Sequence, residues 1–148
     1  MIYTNSDRIA GIMFAFFDHT ADLGIRIEAA TLNELFADAG RAVTAMLLDD
    51  AATVVPKVTE TIVVAGDEID YLFFDWLREL LARFESRKML YCGFEVVVGA
   101  AGLTAIVSGE PLDLARHPLG HEVKAITYHG LSVEQSACGW VAEVIVDI

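Results

Sequence analysis

Two segments of the sequence repeat apolar residues every three to four positions, which is the period of an amphipathic α-helix. The first follows Thr31 and Glu34, whose spacing is that of a capping box at a helix start. The second begins near residues 67–69 and carries Trp76 on its apolar stripe. An aromatic residue at this spacing is typical of core packing, so Trp76 is predicted to be buried and not to contact a cofactor.

The remaining patterned segments are strand-like. They predict strands at 14–17, 23–29, 54–65, 123–128, 132–135 and 140–148, a hairpin of 94–98 with 103–108, and a loop at 109–120. Pro56 makes 54–65 an edge strand or the start of one. This order does not alternate strands and helices as a doubly wound fold does, so it predicts an α+β sandwich with mostly antiparallel sheet.

The domain organisation follows from length and pattern. Residues 1–13 show no clear period and are predicted to be a flexible N-terminal extension, and residues 14–148 are predicted to form a single domain. The chain has no apolar stretch of roughly 20 residues and no charged-then-apolar leader, so we expect a cytoplasmic protein without a membrane span. Cys92 and Cys138 are too few for a disulfide scaffold and are predicted to be reduced core thiols.

The charge of the chain limits its partners. It has 22 acidic and 10 basic residues, a net charge of -12. Such a surface repels phosphate, so direct nucleic-acid binding is not expected, whereas a basic protein partner or cations would suit it. The glycine-rich phosphate loops and the common hydrolase and metalloprotease motifs are missing from the sequence.

The end of the chain carries the most unusual candidate site. Asp147 is followed by the carboxylate of the last residue, Ile148, which gives two hard oxygen donors suited to Ca²⁺, Mg²⁺ or Mn²⁺. Asp22 is a candidate third donor, and Lys124 is a candidate positive charge among these groups. The alternatives stay open: Asp147 as a solvated strand end, Asp22 as a turn residue that binds backbone amides, and Lys124 as an edge lysine that prevents aggregation.

The histidines suggest a zinc site, but the sequence argues against one. His117 and His121 are four residues apart, yet Pro118 and Gly120 between them disfavour the helix that would place both on one face. We therefore expect satisfied surface or core histidines.

The sequence resembles the archease family from about Phe14 to its last residue. Five pieces carry the resemblance in order and spacing: the run 19–25 (HTADLGI), the helix 72–81, the run 109–113 (GEPLD), the run 122–129 (EVKAITYH) and the closing Asp147 and Ile148.

The resemblance implies an α+β fold and an accessory role for a tRNA-splicing RNA ligase, which joins 2',3'-cyclic-phosphate or 3'-phosphate RNA ends to 5'-hydroxyl ends. It implies that the protein is not itself an enzyme but promotes guanylylation and repeated turnover of that ligase. It also implies a divalent-metal site, calcium in the first place, at Asp22, Asp147 and Ile148. Lys124 and Asp22 are the residues expected to take part in ligase activation. Two other hypotheses remain: a small metal-dependent phosphoryl-transfer enzyme using Asp22 and Lys124, and a general chaperone or protein-interaction module.

Overall fold

A computed structural model of the chain describes residues 3–9, 12–19 and 22–148, with the backbone alone at 3–9, 12–13 and 18–19. The elements are listed here in chain order: β1 (Tyr3–Ile9), β2 (Ile12–His19), β3 (Asp22–Ala29), α1 (Leu32–Leu47), β4 (Val58–Ala65), α2 (Ile69–Arg87), β5 (Met89–Gly99), β6 (Gly102–Pro111), β7 (Ala125–Ile126), β8 (Ser132–Ser136) and β9 (Gly139–Asp147). The predicted α+β class with antiparallel sheet is confirmed.

Two sheets organise the fold. In the first, the strand order is β1-β2-β3-β9-β7, and β8 pairs with the part of β9 that β7 does not cover. In the second, the order is β4-β6-β5, so β4 is an edge strand, as Pro56 predicted. The described strand pairs are antiparallel.

The core lies where the helices meet the inner faces of the sheets. Helix α1 contacts β3 and β9 of the first sheet, β5 of the second, and helix α2. Helix α2 in turn contacts strands of both sheets. Trp76 is fully buried, and its Nε1–H donates to the carbonyl oxygen of Phe36 at 2.8 Å, so its predicted place in the core is confirmed.

The helix ends follow the local sequence. The hydroxyl of Thr31 accepts a hydrogen bond from the backbone N–H of Glu34 at 3.2 Å, which is the predicted N-cap of α1. Helix α2 ends at Arg87 and is capped by Lys88, which adopts the left-handed conformation with φ of 57°. Its N–H donates to the carbonyls of Arg83 and Phe84, so the turn satisfies carbonyls at the helix end that would otherwise lack donors.

Several predicted boundaries differ from the structure. The segment predicted to be an extension contains β1, which pairs with β2 through its backbone, while residues 1, 2, 10 and 11 lie outside the described residues. The loop predicted at 109–120 begins at Leu112, three residues later than predicted, because β6 continues to Pro111. The predicted strand at 123–128 is reduced to Ala125–Ile126. Cys138 is exposed in the turn between β8 and β9 and is not the core thiol that was predicted, although both cysteines are free.

Across the part of the chain that the structure describes, no helix is long and apolar enough to cross a membrane.

Candidate functional site

Strand register brings the candidate residues into one row. Asp22 is the first residue of β3 and lies opposite Asp147, the last residue of β9. Asp147 in turn lies opposite Ala125 of β7, the residue after Lys124. The row therefore joins parts of the chain that are more than a hundred residues apart in sequence.

The two aspartates share one face of the sheet. Directly opposed residues in an antiparallel pair point to the same side, with Cβ atoms about 5 Å apart. Leu23 and Val146, the next pair along, are buried in the core, so Asp22 and Asp147 face away from the helices. Both aspartates are half-buried. Two carboxylates at this separation repel each other, and a cation between them would remove that repulsion.

Ile148 is the third predicted ligand, through its main-chain carboxylate. Its side chain is partly buried and packs against the core, one residue beyond Asp147. The row thus offers carboxylate oxygens only, which are the ligands preferred by Ca²⁺ and Mg²⁺, and it fits the chemistry of a hard divalent cation.

Metal binding at this row stays a prediction. Within residues 3–9, 12–19 and 22–148, the structure has no group of three or more histidine, cysteine, aspartate or glutamate side chains placed to hold a metal ion. The predicted set consists of two such side chains and a main-chain carboxylate. Thr20 and Ala21, which precede Asp22 in the sequence, lie outside the described residues.

Lys124 adjoins the row through its backbone. Its N–H donates to the carbonyl oxygen of Asp147 at 2.8 Å. The residue is exposed and lines a groove of about 570 Å³, together with Phe84 and Glu85 near the end of α2 and His121 in the preceding loop. No carboxylate of the described residues forms an ion pair with its ammonium group. The structure therefore places Lys124 beside Asp147 but does not pair their side-chain charges.

A buried carboxylate that the sequence reasoning missed lies at the end of β6. Glu110 is 1% exposed, and its Oε2 accepts from the backbone N–H of Val55 at 2.7 Å. Arg116 donates to both of its oxygens, and Lys57 Nζ lies 3.4 Å from Oε1. The Arg116 guanidinium beside Glu110 lowers the pKa of that carboxyl from its ordinary 4.5 to about 2. A glutamate before a proline gave no signal that it would be buried, because its partners come from distant segments.

His117 is a fully buried member of the same cluster. Its Nδ1 accepts a hydrogen bond from the backbone N–H of Asp113 at 2.8 Å, so the proton of the neutral ring is on Nε2. Nε2 lies 3.1 Å from Glu110 Oε2 and donates to it. The prediction of a satisfied core histidine is confirmed for His117. The cluster holds the loop after β6 against the segment before β4, and its groups are already partnered.

Comparisons with known proteins agree over nearly the whole chain. The model of the archease protein family matches residues 14–148. A protein archease from Methanopyrus kandleri is 38% identical over 135 residues, which cover 88% of this chain and 96% of the relative. A protein archease from Sulfurisphaera tokodaii is 34% identical over 91% of this chain and 98% of its own length.

Solved structures show the same fold. The solution structure of protein 1598 from Methanobacterium thermoautotrophicum superposes with a TM-score of 0.80 at 29% identity, covering 91% of this chain and 98% of the other. The crystal structure of a Thermotoga maritima protein, described as an archease and possible chaperone, superposes with a TM-score of 0.62 at 19% identity and covers 89% of this chain and 94% of the other.

Proposed function

Because this chain belongs to the archease family, we propose that it is a non-catalytic accessory protein that activates a tRNA-splicing RNA ligase. The ligase would join 2',3'-cyclic-phosphate or 3'-phosphate RNA ends to 5'-hydroxyl ends, and the accessory protein would promote its guanylylation and repeated turnover. The observation that supports this most directly is the register of the first sheet. It sets Asp22 opposite Asp147, next to the chain terminus and Lys124.

The proposed metal is a divalent cation held by Asp22, Asp147 and the terminal carboxylate of Ile148, with Ca²⁺ in the first place and Mg²⁺ or Mn²⁺ as alternatives. When bound, the ion would supply positive charge that offsets the repulsion between these carboxylates. Asp22 and Asp147 lie at strand ends. Strand β9 is hydrogen-bonded to β3 on one side and to β7 on the other, so Asp147 is held on a rigid element.

Docking is proposed to use the acidic charge of the chain. A net charge of -12 favours approach to a basic active-site entrance, where such steering raises the association rate more than the final affinity. Lys124 is exposed next to the row and would be the cationic group that reaches the ligase. Cytoplasmic location, shared with the ligase, is part of the proposal.

The test of function is multiple-turnover RNA ligation by the ligase of the same organism. Wild-type protein should accelerate turnover, and Asp22→Ala, Lys124→Ala and a form lacking Ile148 should not. Glu95→Gln is the matched control, because Glu95 is an exposed carboxylate on the second sheet. Acceleration that is equal for Lys124→Ala and wild type would contradict the proposed role of Lys124. Ligation by the protein without ligase would instead favour the small-enzyme hypothesis.

The metal proposal has a test that does not need the ligase. Isothermal titration of the metal-free protein with Ca²⁺, Mg²⁺ and Mn²⁺ should give one saturable site. Asp147→Asn and a C-terminal tag should weaken that site, while Glu95→Gln and Val133→Ile should not. Unchanged affinity in the tagged protein would remove the terminal carboxylate from the ligand set.

A chaperone-like function is the second candidate, because three large apolar side chains are exposed on the outer face of the second sheet. Val63, Val97 and Ile106 are 71%, 65% and 47% exposed and lie on the same face of neighbouring strands. Such a face could hold unfolded segments of other proteins. Suppression of aggregation of an unrelated protein, weakened by Val63→Thr with Val97→Thr but not by Asp22→Ala, would support this function over the ligase-specific one.

A further inference from the structure

An aromatic pocket lies at the start of α2, and its lining does not include Asp22 or Asp147. It has a volume of about 660 Å³ and is lined by Glu68, Ile69, Asp70, Tyr71, Tyr128 and Leu131. We call these six residues the aromatic pocket. Tyr71 and Tyr128 are 55% and 56% exposed, although large aromatic side chains are usually covered. Two half-exposed rings in one pocket indicate a surface that is completed by a partner.

The rings of this pocket are held rigidly. Tyr128 stacks on the buried Phe74, with ring centroids 3.8 Å apart and an angle of 15° between the planes. Tyr71 meets Tyr128 edge to face at 5.9 Å. The exposed ring surface is therefore preorganised, and binding would cost little side-chain entropy.

The rim of the aromatic pocket is negatively charged. Glu68 is exposed, and among the described residues its carboxylate forms no hydrogen bond or ion pair. Asp70 is fixed, because its Oδ1 accepts from the backbone N–H of Val133 at 3.0 Å. Two carboxylates beside aromatic faces suit a cation and repel the phosphates of RNA.

Arginine fits this combination better than lysine does. Its planar guanidinium stacks on aromatic rings and donates two parallel hydrogen bonds to a carboxylate. The protein already contains one such contact on the same aromatic cluster, since the guanidinium of Arg78 lies 5.7 Å from the centroid of Phe74.

The aromatic pocket lies close in sequence to Lys124, the residue proposed to reach the ligase. Tyr128 is four residues after Lys124, and Thr127 between them donates to the carbonyl oxygen of Ile145 through both its N–H and its hydroxyl. Four residues of chain span at most about 14 Å, so the backbone of Tyr128 lies within that distance of the backbone of Lys124. A partner that reaches Lys124 would also reach the aromatic pocket.

We propose that the aromatic pocket binds an arginine side chain of the RNA ligase and serves as a second anchor of the complex. This inference rests on the proposed function, because it takes the ligase as the partner. The pocket would add affinity without taking part in the metal chemistry.

The first experiment tests the chemistry of the aromatic pocket without the ligase. A blocked Gly-Arg-Gly peptide is titrated into protein with labelled tyrosine rings, followed by NMR, and the control is the same peptide with citrulline, which has the shape of arginine but no charge. The arginine peptide should shift the Tyr71 and Tyr128 signals with at least about fivefold higher affinity than the citrulline peptide, and the buried Tyr91 should not respond. Equal shifts with citrulline, or tighter binding of a single-stranded RNA bearing a 3'-phosphate, would overturn the inference.

The second experiment measures the affinity for the ligase. Tyr128→Leu and Glu68→Gln should each weaken binding about three- to tenfold, whereas Tyr128→Phe, which keeps the ring, should not. Glu68→Gln covers the case in which Tyr128→Leu does not fold. Calcium affinity should be unchanged in all three variants.

The two proposals fail in different ways. If wild type activates the ligase but the pocket variants bind it as tightly as wild type, the inference is wrong and the proposed function stands. If wild type neither binds nor activates the ligase, the proposed function is wrong, and the inference fails with it for that partner, whatever the peptide shows.

Discussion

Replacing Gly24 by alanine should destabilise the fold, because the ring of Phe17 occupies the space of the new methyl group. Gly24 lies opposite Phe17 in the pairing of β2 with β3. A Cβ on Gly24 would lie 2.0 Å from Cε2 and 2.2 Å from Cζ of Phe17, where carbon atoms need about 3.5 Å or more. Phe17 is fully buried, so its ring has to displace neighbouring atoms or leave its site.

The magnitude follows from two opposing effects. Inserting a methyl group into a packed site costs about 1 to 3 kcal/mol, and the required displacement of about 1.5 Å puts this case at the upper end. Alanine reduces the backbone entropy of the unfolded chain, which returns about 0.4 to 1 kcal/mol. The expected net loss is about 2 kcal/mol, or about 1 M in the midpoint of urea unfolding.

Urea unfolding of four variants, Gly24→Ala, Gly99→Ala, Phe17→Leu and the double variant, tests this reasoning. Gly99→Ala is the matched control, since its nearest contact would be a carbonyl oxygen at 3.8 Å, and it should lie within about 0.5 kcal/mol of wild type. Phe17→Leu combined with Gly24→Ala should be less destabilised than the sum of the two single changes by about 1 kcal/mol or more. Additive effects, or equal stability of Gly24→Ala and Gly99→Ala, would refute the steric explanation.

Three further outcomes follow from the structure. Lys88→Gly should stabilise the protein by about 0.5 to 1 kcal/mol in urea unfolding, because glycine adopts the left-handed conformation without a Cβ clash. A lower urea midpoint would mean that the lost contact of Lys88 Nζ with the Phe84 ring, 5.1 Å from its centroid, outweighs the relief of backbone strain. The pKa of Glu110 is lower in the folded state than its ordinary 4.5, so its contribution to the free energy of unfolding is complete above pH 4.5 and is lost as the pH falls toward 2. When stability is measured against pH, Glu110→Gln should lack this part of the acid dependence. Calcium at 100 times its Kd should raise the free energy of unfolding by about 2.7 kcal/mol, measured by thermal unfolding. Asp147→Asn or loss of Ile148 should remove most of that rise. An equal rise in these variants would mean that the ion binds elsewhere.

The helices and the class of fold could be predicted because they depend on local pattern. The apolar stripes of α1 and α2 repeat over more than four turns, and Thr31 caps the first helix by itself. Strand β1 gave no such signal, since backbone hydrogen bonds to β2 define it. The predicted strand at 123–128 kept only two residues in the sheet, because Thr127 bonds to Ile145 and the chain then turns so that Tyr128 stacks on Phe74.

The residues of the candidate site could be proposed from the sequence, but their arrangement could not. Asp22 and Asp147 stand out as carboxylates at predicted strand ends, and Ile148 by its position directly after Asp147. The position of Lys124 relative to them depends on the backbone bond to Asp147, which no local pattern encodes. The aromatic pocket could not be predicted, because its rings come from α2 and from the segment after β7.

The register that builds the carboxylate row is set by the core and not by the acidic residues. Along β3, Leu23, Ile25 and Ile27 are buried, and each lies opposite a buried residue of β9. A slip of one residue would turn an entire apolar set toward solvent, so this pairing is strongly preferred over its neighbours. The row of Asp22 and Asp147 therefore forms even though the two carboxylates repel each other. Burial of the apolar face supplies the free energy that holds Asp22 opposite Asp147, with Cβ atoms about 5 Å apart, and a cation that binds there would gain from repulsion that folding has already overcome.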